Sequence, residues 1–204
     1  MNRSYLLFYR WVALNLTGAA ILLVFHLHGM VAPVYRADTS YIVYVISALF
    51  LYGMTLCGWR VWRTSQELNH ARAGNGGKIG HFAARSRYAD PESVKEAFEI
   101  KLMARIAFVR YISSSLVMLG LLGTVIGFIM VLTNIPANAV GDAQQVGKLV
   151  GALTSGMGVA LYTTLVGAIG NLWLNANYTI LRTGVINLIA AILESPVTAA
   201  ALHE

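Results

Sequence analysis

The sequence GMGVALYTTLVGAIGN, residues Gly156–Asn171, lies inside an apolar run long enough to cross a bilayer as a helix. At about 100° per residue, one side of that helix carries only small residues: Gly156, Ala160, Thr163, Gly167 and Gly170. Thr164 and Asn171 border the same side. A face of small residues lets a second helix approach closely, and the two hydroxyls and the carboxamide give this contact a polar seam.

A second apolar run carries the same pattern in the sequence GLLGTVIG, residues Gly120–Gly127. Four small residues share one face of this predicted helix: Gly120, Gly123, Thr124 and Gly127. The two runs therefore predict a pair of membrane helices that pack through small residues. We interpret seven positions as packing positions of these helices: Gly120, Gly123, Gly127, Gly156, Ala160, Gly167 and Asn171.

The composition also places the chain in a membrane. It is 57% hydrophobic and only 12% charged, whereas soluble domains have about 25% charged residues. Cys57 is the single cysteine of the 204 residues, so an intrachain disulfide is excluded. The sequence has no zinc or haem spacing, no phosphate-binding loop and no dinucleotide fingerprint. We expect no metal, no cofactor and no enzymatic activity.

The apolar runs predict an all-α membrane protein with four transmembrane helices and a cytoplasmic helical extension. Residues 1–62 form an N-terminal transmembrane hairpin, with spans at about 11–32 and 41–62. Residues 63–110 form a polar cytoplasmic segment, in which four glycines predict a turn: Gly74, Gly76, Gly77 and Gly80.

The second half of the chain predicts a pore-forming transmembrane hairpin over residues 111–174. Its spans lie at about 112–132 and 149–174, joined by a polar loop. Residues 175–204 form a cytoplasmic amphipathic tail, whose helix Pro196 ends.

One long helix is expected to begin at Pro91. Asp90 is a good N-cap, proline suits the first helical position, and Glu92 places an acid in the first turn. No breaker follows until Pro136, so we expect a helix from about Pro91 to Leu132 that lies half in water and half in the membrane.

The basic residues predict the orientation of the chain. All but two of the 15 Lys and Arg residues lie at the N-terminus, in the tail, or in the middle segment with the adjoining end of the second span. Only Arg36 and Lys148 lie in the other two loops. Because basic residues concentrate on the cytoplasmic side, both termini should be cytoplasmic. This bias explains the net charge of +6 without a nucleic-acid partner.

The two small-residue motifs resemble the last two membrane helices of the MotA/TolQ/ExbB proton-channel family. Leu119–Gly127 resembles the family's G-x-x-G-T-V-x-G opening, and Ala160–Ala168 resembles the A-L-x-T-T-x-x-G-A core of the MotA branch. The resemblance covers residues 119–178. Val159 stands where the ExbB branch has a glutamate, and Trp173 stands near a proline of both branches, which puts the family's helix kink in question.

None of the four predicted spans contains an Asp or a Glu. Proton paths through membranes commonly use an ionisable group, so another chain should bring the carboxylate. The resemblance implies such a chain: a dimeric, single-span MotB/ExbD/TolR-like subunit with an essential aspartate, inside a ring of five copies. It also implies a multi-pass protein of the bacterial inner membrane, in which ion flow drives rotation. Three hydroxyls are then predicted along the ion path: Thr124, Thr164 and Thr163.

We expect spans three and four to line the ring, because their small-residue faces cannot be matched within one subunit and still leave a central path. Spans one and two would face lipid. The main alternative is a non-conducting four-helix membrane scaffold or assembly factor, and a third is a small transporter with its own pore. A neighbouring gene for a single-span protein with an aspartate would favour the motor subunit. The transported ion, proton or sodium, and the process that is powered are left open.

Overall fold

The computed structural model describes residues 6–38, 40–72, 91–133 and 143–193. Regular structure within these residues is entirely helical: α1 (Leu6–Leu27), α2 (Val31–Ala37), α3 (Ile42–Arg72), α4 (Pro91–Thr133) and α5 (Ala143–Leu193). The four longer helices are long and apolar enough to cross a membrane. The predicted all-α membrane fold with four transmembrane helices is therefore confirmed.

Helices α4 and α5 are much longer than a bilayer is thick. Their 43 and 51 residues correspond to about 65 and 77 Å at 1.5 Å per residue, whereas the hydrocarbon core measures about 30 Å. Both helices must therefore continue outside the hydrocarbon. As expected, α4 begins at Pro91, and it runs unbroken to Thr133 because no proline interrupts it.

Several helix ends differ from the limits that hydropathy suggested. The first helix ends at Leu27, because Gly29 adopts φ 72 in the left-handed region, and the short helix α2 follows. Helix α3 continues ten residues past Trp62 to Arg72, since nothing in that stretch breaks a helix. Helix α5 begins at Ala143, inside the expected loop.

The stretch expected to form the amphipathic helical tail belongs to α5. Helix α5 runs without a break through residues 175–193, and Trp173 lies within it. The expected glycine turn, the Asp90 cap, most of the loop before α5 and the Pro196 stop lie outside the described residues.

The start of α3 is fixed by a buried carboxylate. Asp38 accepts hydrogen bonds from the backbone N–H of Val43 at 2.8 Å and from the N–H and hydroxyl of Ser40 at 3.0 and 2.6 Å. The first N–H groups of a helix have no partner within it, so this side chain satisfies donors that burial would leave unpaired. The hydroxyl groups of Tyr35 and Ser47 lie 2.9 Å apart and join α2 to α3.

The chain divides into two compact units. The first comprises Met1–Thr17, Met54–Tyr111 and Asn175–Glu204, and the second comprises Gly18–Gly53 and Ile112–Leu174. In the first unit, one side of α5 is buried at a spacing of three and four residues: Asn177, Leu181, Val185, Leu188 and Ile192. This period is that of a helix with one face in a core.

In the second unit, α3, α4 and α5 meet at Gly53. A Cβ atom at this position would lie 2.7 Å from the Leu174 side chain and 3.0 Å from that of Ile112. The Trp173 ring packs against Gly18 of α1, and its centroid lies 5.4 Å from that of Phe50 on α3. A bulky ring opposite a glycine thus fills the space between α1, α3 and α5 at this level.

Candidate functional site

The small-residue faces of α4 and α5 pack directly on each other in the second unit. A Cβ atom on Gly167 would lie 2.6 Å from the carbonyl oxygen of Leu116 and 3.1 Å from the Cα atom of Gly120. One on Gly127 would lie 2.9 Å from the Gly156 carbonyl oxygen and 3.0 Å from the Ala160 nitrogen. The two backbones therefore touch at positions where a side chain would not fit.

The expected ring places a central path beside spans three and four, and that placement stays a prediction. Within one chain, the small-residue faces of these two spans are matched to each other. The reason is that the spacing of three and four residues recurs in both helices and brings glycine opposite glycine or threonine along the whole contact.

Thr163 lies at the centre of this contact and is fully buried, at 0% exposure. Its side chain occupies the space above Gly123, where any side chain on α4 would collide with it. Its hydroxyl donates to the carbonyls of its own helix, Val159 at 3.1 Å and Ala160 at 3.0 Å. This geometry makes Thr163 a packing residue whose hydroxyl is already satisfied.

Thr164 lies at the edge of the contact and is partly exposed. Its hydroxyl lies 3.1 Å from the carbonyl oxygen of Ala160 in its own helix and 3.3 Å from that of Gly120 in α4. The second contact crosses between helices, which the absence of a side chain on Gly120 permits. Thr164 can therefore donate to either helix.

Thr124 is also partly exposed, and its hydroxyl donates to the Leu121 carbonyl at 2.6 Å. Each carbonyl that these threonines use can also accept its own helical N–H, because a carbonyl oxygen has two lone pairs. A hydroxyl can thus turn away without leaving a carbonyl unsatisfied. Whether these hydroxyls lie on an ion path stays a prediction.

Asn171 makes a contact that sequence reasoning did not identify. Its side-chain oxygen accepts from the Ser113 hydroxyl at 2.7 Å, and its backbone carbonyl lies 3.1 Å from the same hydroxyl. Ser113 is buried. The signal was present in the sequence, because Ser113 precedes Gly120 by seven residues, or two helical turns, and so shares its face.

A second amide contact lies in the first unit, where Asn15 of α1 donates to the side-chain oxygen of Asn177 at 2.7 Å. Asn177 is fully buried, and Asn15 also donates to the Trp11 carbonyl at 2.8 Å. Asn15 is a polar residue in a mainly apolar stretch, which in a membrane helix indicates a polar partner on another helix.

Acidic residues are absent from residues 111–133 and 143–193. No group of His, Cys, Asp and Glu that could hold a metal ion occurs among the described residues. The α4–α5 contact can therefore offer hydroxyl, amide and carbonyl groups, but no ionisable group, to a proton or a partner side chain.

Replacing Gly167 by alanine should destabilise the protein by about 1–3 kcal/mol, the usual cost of overpacking, because the new methyl group meets backbone atoms that cannot turn aside. Gly158→Ala is the matched control in the same helix, since the nearest atom to its added Cβ is a Tyr162 ring carbon at 4.0 Å. Denaturant unfolding in detergent micelles measures both. Equal stability of the two variants would contradict the close backbone contact.

Comparison with known proteins identifies a family for this chain. The sequence model of the MotA/TolQ/ExbB proton channel family matches residues 71–194, more than half of the chain, while no curated protein and no solved structure matches. The match covers both small-residue helices and does not separate the MotA-like branch from the others. Four apolar helices, a close glycine–threonine contact and this match lead to one conclusion: the chain is a multi-pass membrane protein and belongs to the MotA/TolQ/ExbB proton channel family.

Proposed function

We propose that this chain is the ring-forming subunit of a proton-driven rotary motor of the bacterial inner membrane. Membership of the family implies a proton channel in an energy-transducing complex with partner subunits. The finer proposal is a ring of five copies around a dimeric, single-span MotB/ExbD/TolR-like subunit that carries an essential aspartate. Both termini of the chain lie in the cytoplasm, and the protein couples ion flow to mechanical work without making or breaking covalent bonds in a substrate.

One observation carries this proposal: Thr124 and Thr164 present partly exposed hydroxyls beside a helix contact that contains no acid. A proton path through hydrocarbon needs a group that binds and releases the proton. Threonine does not ionise at physiological pH, so these hydroxyls can only assist a carboxylate. In our proposal that carboxylate comes from the partner subunit.

The hydrogen bonds of the two hydroxyls suggest how they assist. Each now donates to a backbone carbonyl, so its oxygen is available as an acceptor for a protonated, neutral carboxyl group. Once the carboxyl loses its proton it needs donors, because an unpaired charge at low dielectric is costly. Rotation of the hydroxyl away from the helix carbonyl supplies a donor at small cost, since that carbonyl can keep its helical N–H.

The change of the carboxyl group between its neutral and its charged form couples proton transfer to movement of the ring. A neutral carboxyl tolerates the apolar wall between two threonine positions, whereas a charged one is held at a threonine. One charge that crosses a potential of 100 mV carries about 2.3 kcal/mol, enough to bias repeated steps of the ring relative to its partner.

The distribution of exposed apolar side chains supports the ring. Both pore-forming helices expose large side chains to their surroundings, and these include Leu121, Val125, Phe128, Leu161, Leu165 and Leu172. Helix α1 also exposes large apolar side chains, since it buries no residue. We propose that α4 and α5 pack on neighbouring copies and line the interior, and that α1 and α3 face the lipid.

Native mass spectrometry of the detergent-extracted complex should give the mass of five copies, or of five copies with two copies of a smaller chain. The mass of a single 22.1 kDa chain or of its dimer, under conditions that preserve other membrane oligomers, would contradict the ring.

The double variant Thr124→Val, Thr164→Val should assemble normally but lose proton flux by about tenfold or more. Valine keeps the shape of threonine but lacks its hydroxyl group. A buried charge that lacks one hydrogen-bond donor is destabilised by about 1–3 kcal/mol or more. Serine at both positions should be milder because it keeps the hydroxyl. Proton uptake into vesicles, divided by the amount of assembled complex, measures the effect.

Two further variants serve as controls for this experiment. Thr163→Val should have the weaker effect, because that hydroxyl is buried and bonded to its own helix. Thr179→Val removes an exposed hydroxyl with the same kind of bond, to the Asn175 carbonyl at 3.0 Å, outside the α4–α5 contact, and should leave the flux unchanged. Full flux in the double variant would contradict the mechanism.

One observation favours the alternative function, a non-conducting scaffold or assembly factor. The small-residue faces of α4 and α5 are matched within one chain. The hydroxyl groups of Thr124, Thr163 and Thr164 all donate to backbone carbonyls, so the contact needs no further partner to be stable. A scaffold would retain its full activity in the double valine variant. The same experiment therefore separates the two functions.

A further inference from the structure

The first unit contains a cleft of about 230 Å³ between α3, α4 and α5, well apart in sequence from the threonines of the second unit. This volume equals that of about seven or eight water molecules. The cleft is too small for an acyl chain. It is large enough for a phosphate group and the glycerol to which that phosphate is bonded. None of its lining residues belongs to the proposed ion path.

The polar wall of the cleft is basic. Three arginines line it, Arg60 and Arg63 from α3 and Arg105 from α4, together with the single carboxylate of Glu67. Arg63 and Glu67 form an ion pair at 3.4 Å on one helix face. Three positive charges against one negative charge leave a formal net charge of +2, which favours an anion. Guanidinium groups match phosphate oxygens well, since they donate in a planar fork.

The remaining lining of the cleft is apolar and comes from all three helices. Leu102 and Ile106 of α4 and Leu188 of α5 are buried side chains at this wall. Trp59 of α3 lies at the rim, 60% exposed, and its ring packs under the Arg63 guanidinium at 5.7 Å. A fully hydrated inorganic ion would make no use of this apolar surface, whereas an amphiphile would.

The position of the cleft along α3 points to the same ligand class. Trp59, Arg60, Trp62 and Arg63 follow the apolar part of the helix, and mixed tryptophan and arginine residues are typical of the membrane–water boundary. Phospholipid headgroups lie at this depth at high local concentration. Basic clusters next to a membrane helix attract anionic lipids.

We propose that this cleft binds the phosphate group of an anionic phospholipid, with Arg60 and Arg105 as the main contacts and Trp59 at the glycerol level. The bound lipid would hold α3, α4 and α5 together where they leave the hydrocarbon. Glu67 weakens the site, because its carboxylate faces the same anion.

The test measures lipid retention by the full chain, purified in a neutral detergent, using native mass spectrometry with added phosphatidylglycerol or phosphatidylcholine. The wild type should retain phosphatidylglycerol preferentially. Arg60→Gln with Arg105→Gln should lower its apparent affinity by roughly 25-fold, at about fivefold for each basic side chain. Arg182→Gln, which removes an exposed arginine of α5 outside the cleft, should change it by less than about twofold.

Glu67→Gln should change the affinity for phosphatidylglycerol in the opposite direction. Because misfolding would lower this affinity, an increase cannot be explained by misfolding. Removing the acid should raise the affinity for phosphatidylglycerol by about fivefold, the effect of one charge. An unchanged affinity in the double arginine variant, or an equal loss in Arg182→Gln, would overturn the site.

A second arm of the experiment identifies the source of the phosphate. Inorganic phosphate is added to the wild type in place of lipid, and protection against thermal unfolding is recorded. Protection by inorganic phosphate that depends on Arg60 and Arg105, without preference for phosphatidylglycerol over phosphatidylcholine, would overturn the lipid proposal in favour of a soluble phosphate. No protection, together with lipid retention, supports it.

Discussion

The approach of two helix backbones at Gly120 and Gly167 is the contact on which the second unit depends. Within hydrocarbon the apolar side chains of a helix gain nothing by leaving lipid for protein, so helices associate through close van der Waals contact and hydrogen bonds. A Cβ atom on Gly167 would come within 2.6 Å of a backbone oxygen, which leaves no room for any other residue. The same closeness brings the Thr164 hydroxyl to the Gly120 carbonyl at 3.3 Å.

This contact imposes a condition on function. Hydroxyl and amide groups in a dry contact must be paired, and here they pair with backbone carbonyls or with each other, as Ser113 does with Asn171. A path for protons through such a contact needs polar groups that can exchange partners. Thr124 and Thr164 meet this condition because they are partly exposed and because their present acceptors are satisfied without them. Thr163 does not, because it is enclosed.

The membrane fold could be predicted, and so could the glycine-bearing faces on which α4 and α5 meet, because both depend on local periodicity. Glycine every three or four residues marks a helix face, and long uncharged runs mark the spans. The helix ends were harder to predict, because hydropathy locates the apolar stretch and not the point where hydrogen bonding stops. Helix α3 continues to Arg72 and α5 through residues 175–193, since polar residues do not by themselves end a helix.

Features that join distant parts of the chain could not be predicted without the structure. The Asn15–Asn177 hydrogen bond joins residues 162 positions apart, and the arginine cleft gathers residues from three helices. The packing of whole helices decides which distant residues form pairs. The residue pattern of a single helix face does not identify the partner on another helix.

In the proposed mechanism, this chain guides a proton but does not carry the ionisable group itself. Proton uptake by vesicles that contain the purified chain alone, compared with vesicles that also contain a co-purifying single-span partner, tests this claim most directly. The account predicts no uptake above protein-free vesicles for the chain alone, and potential-driven uptake once the partner is present that disappears when the partner's membrane aspartate is replaced by asparagine. Uptake by the chain alone would contradict it.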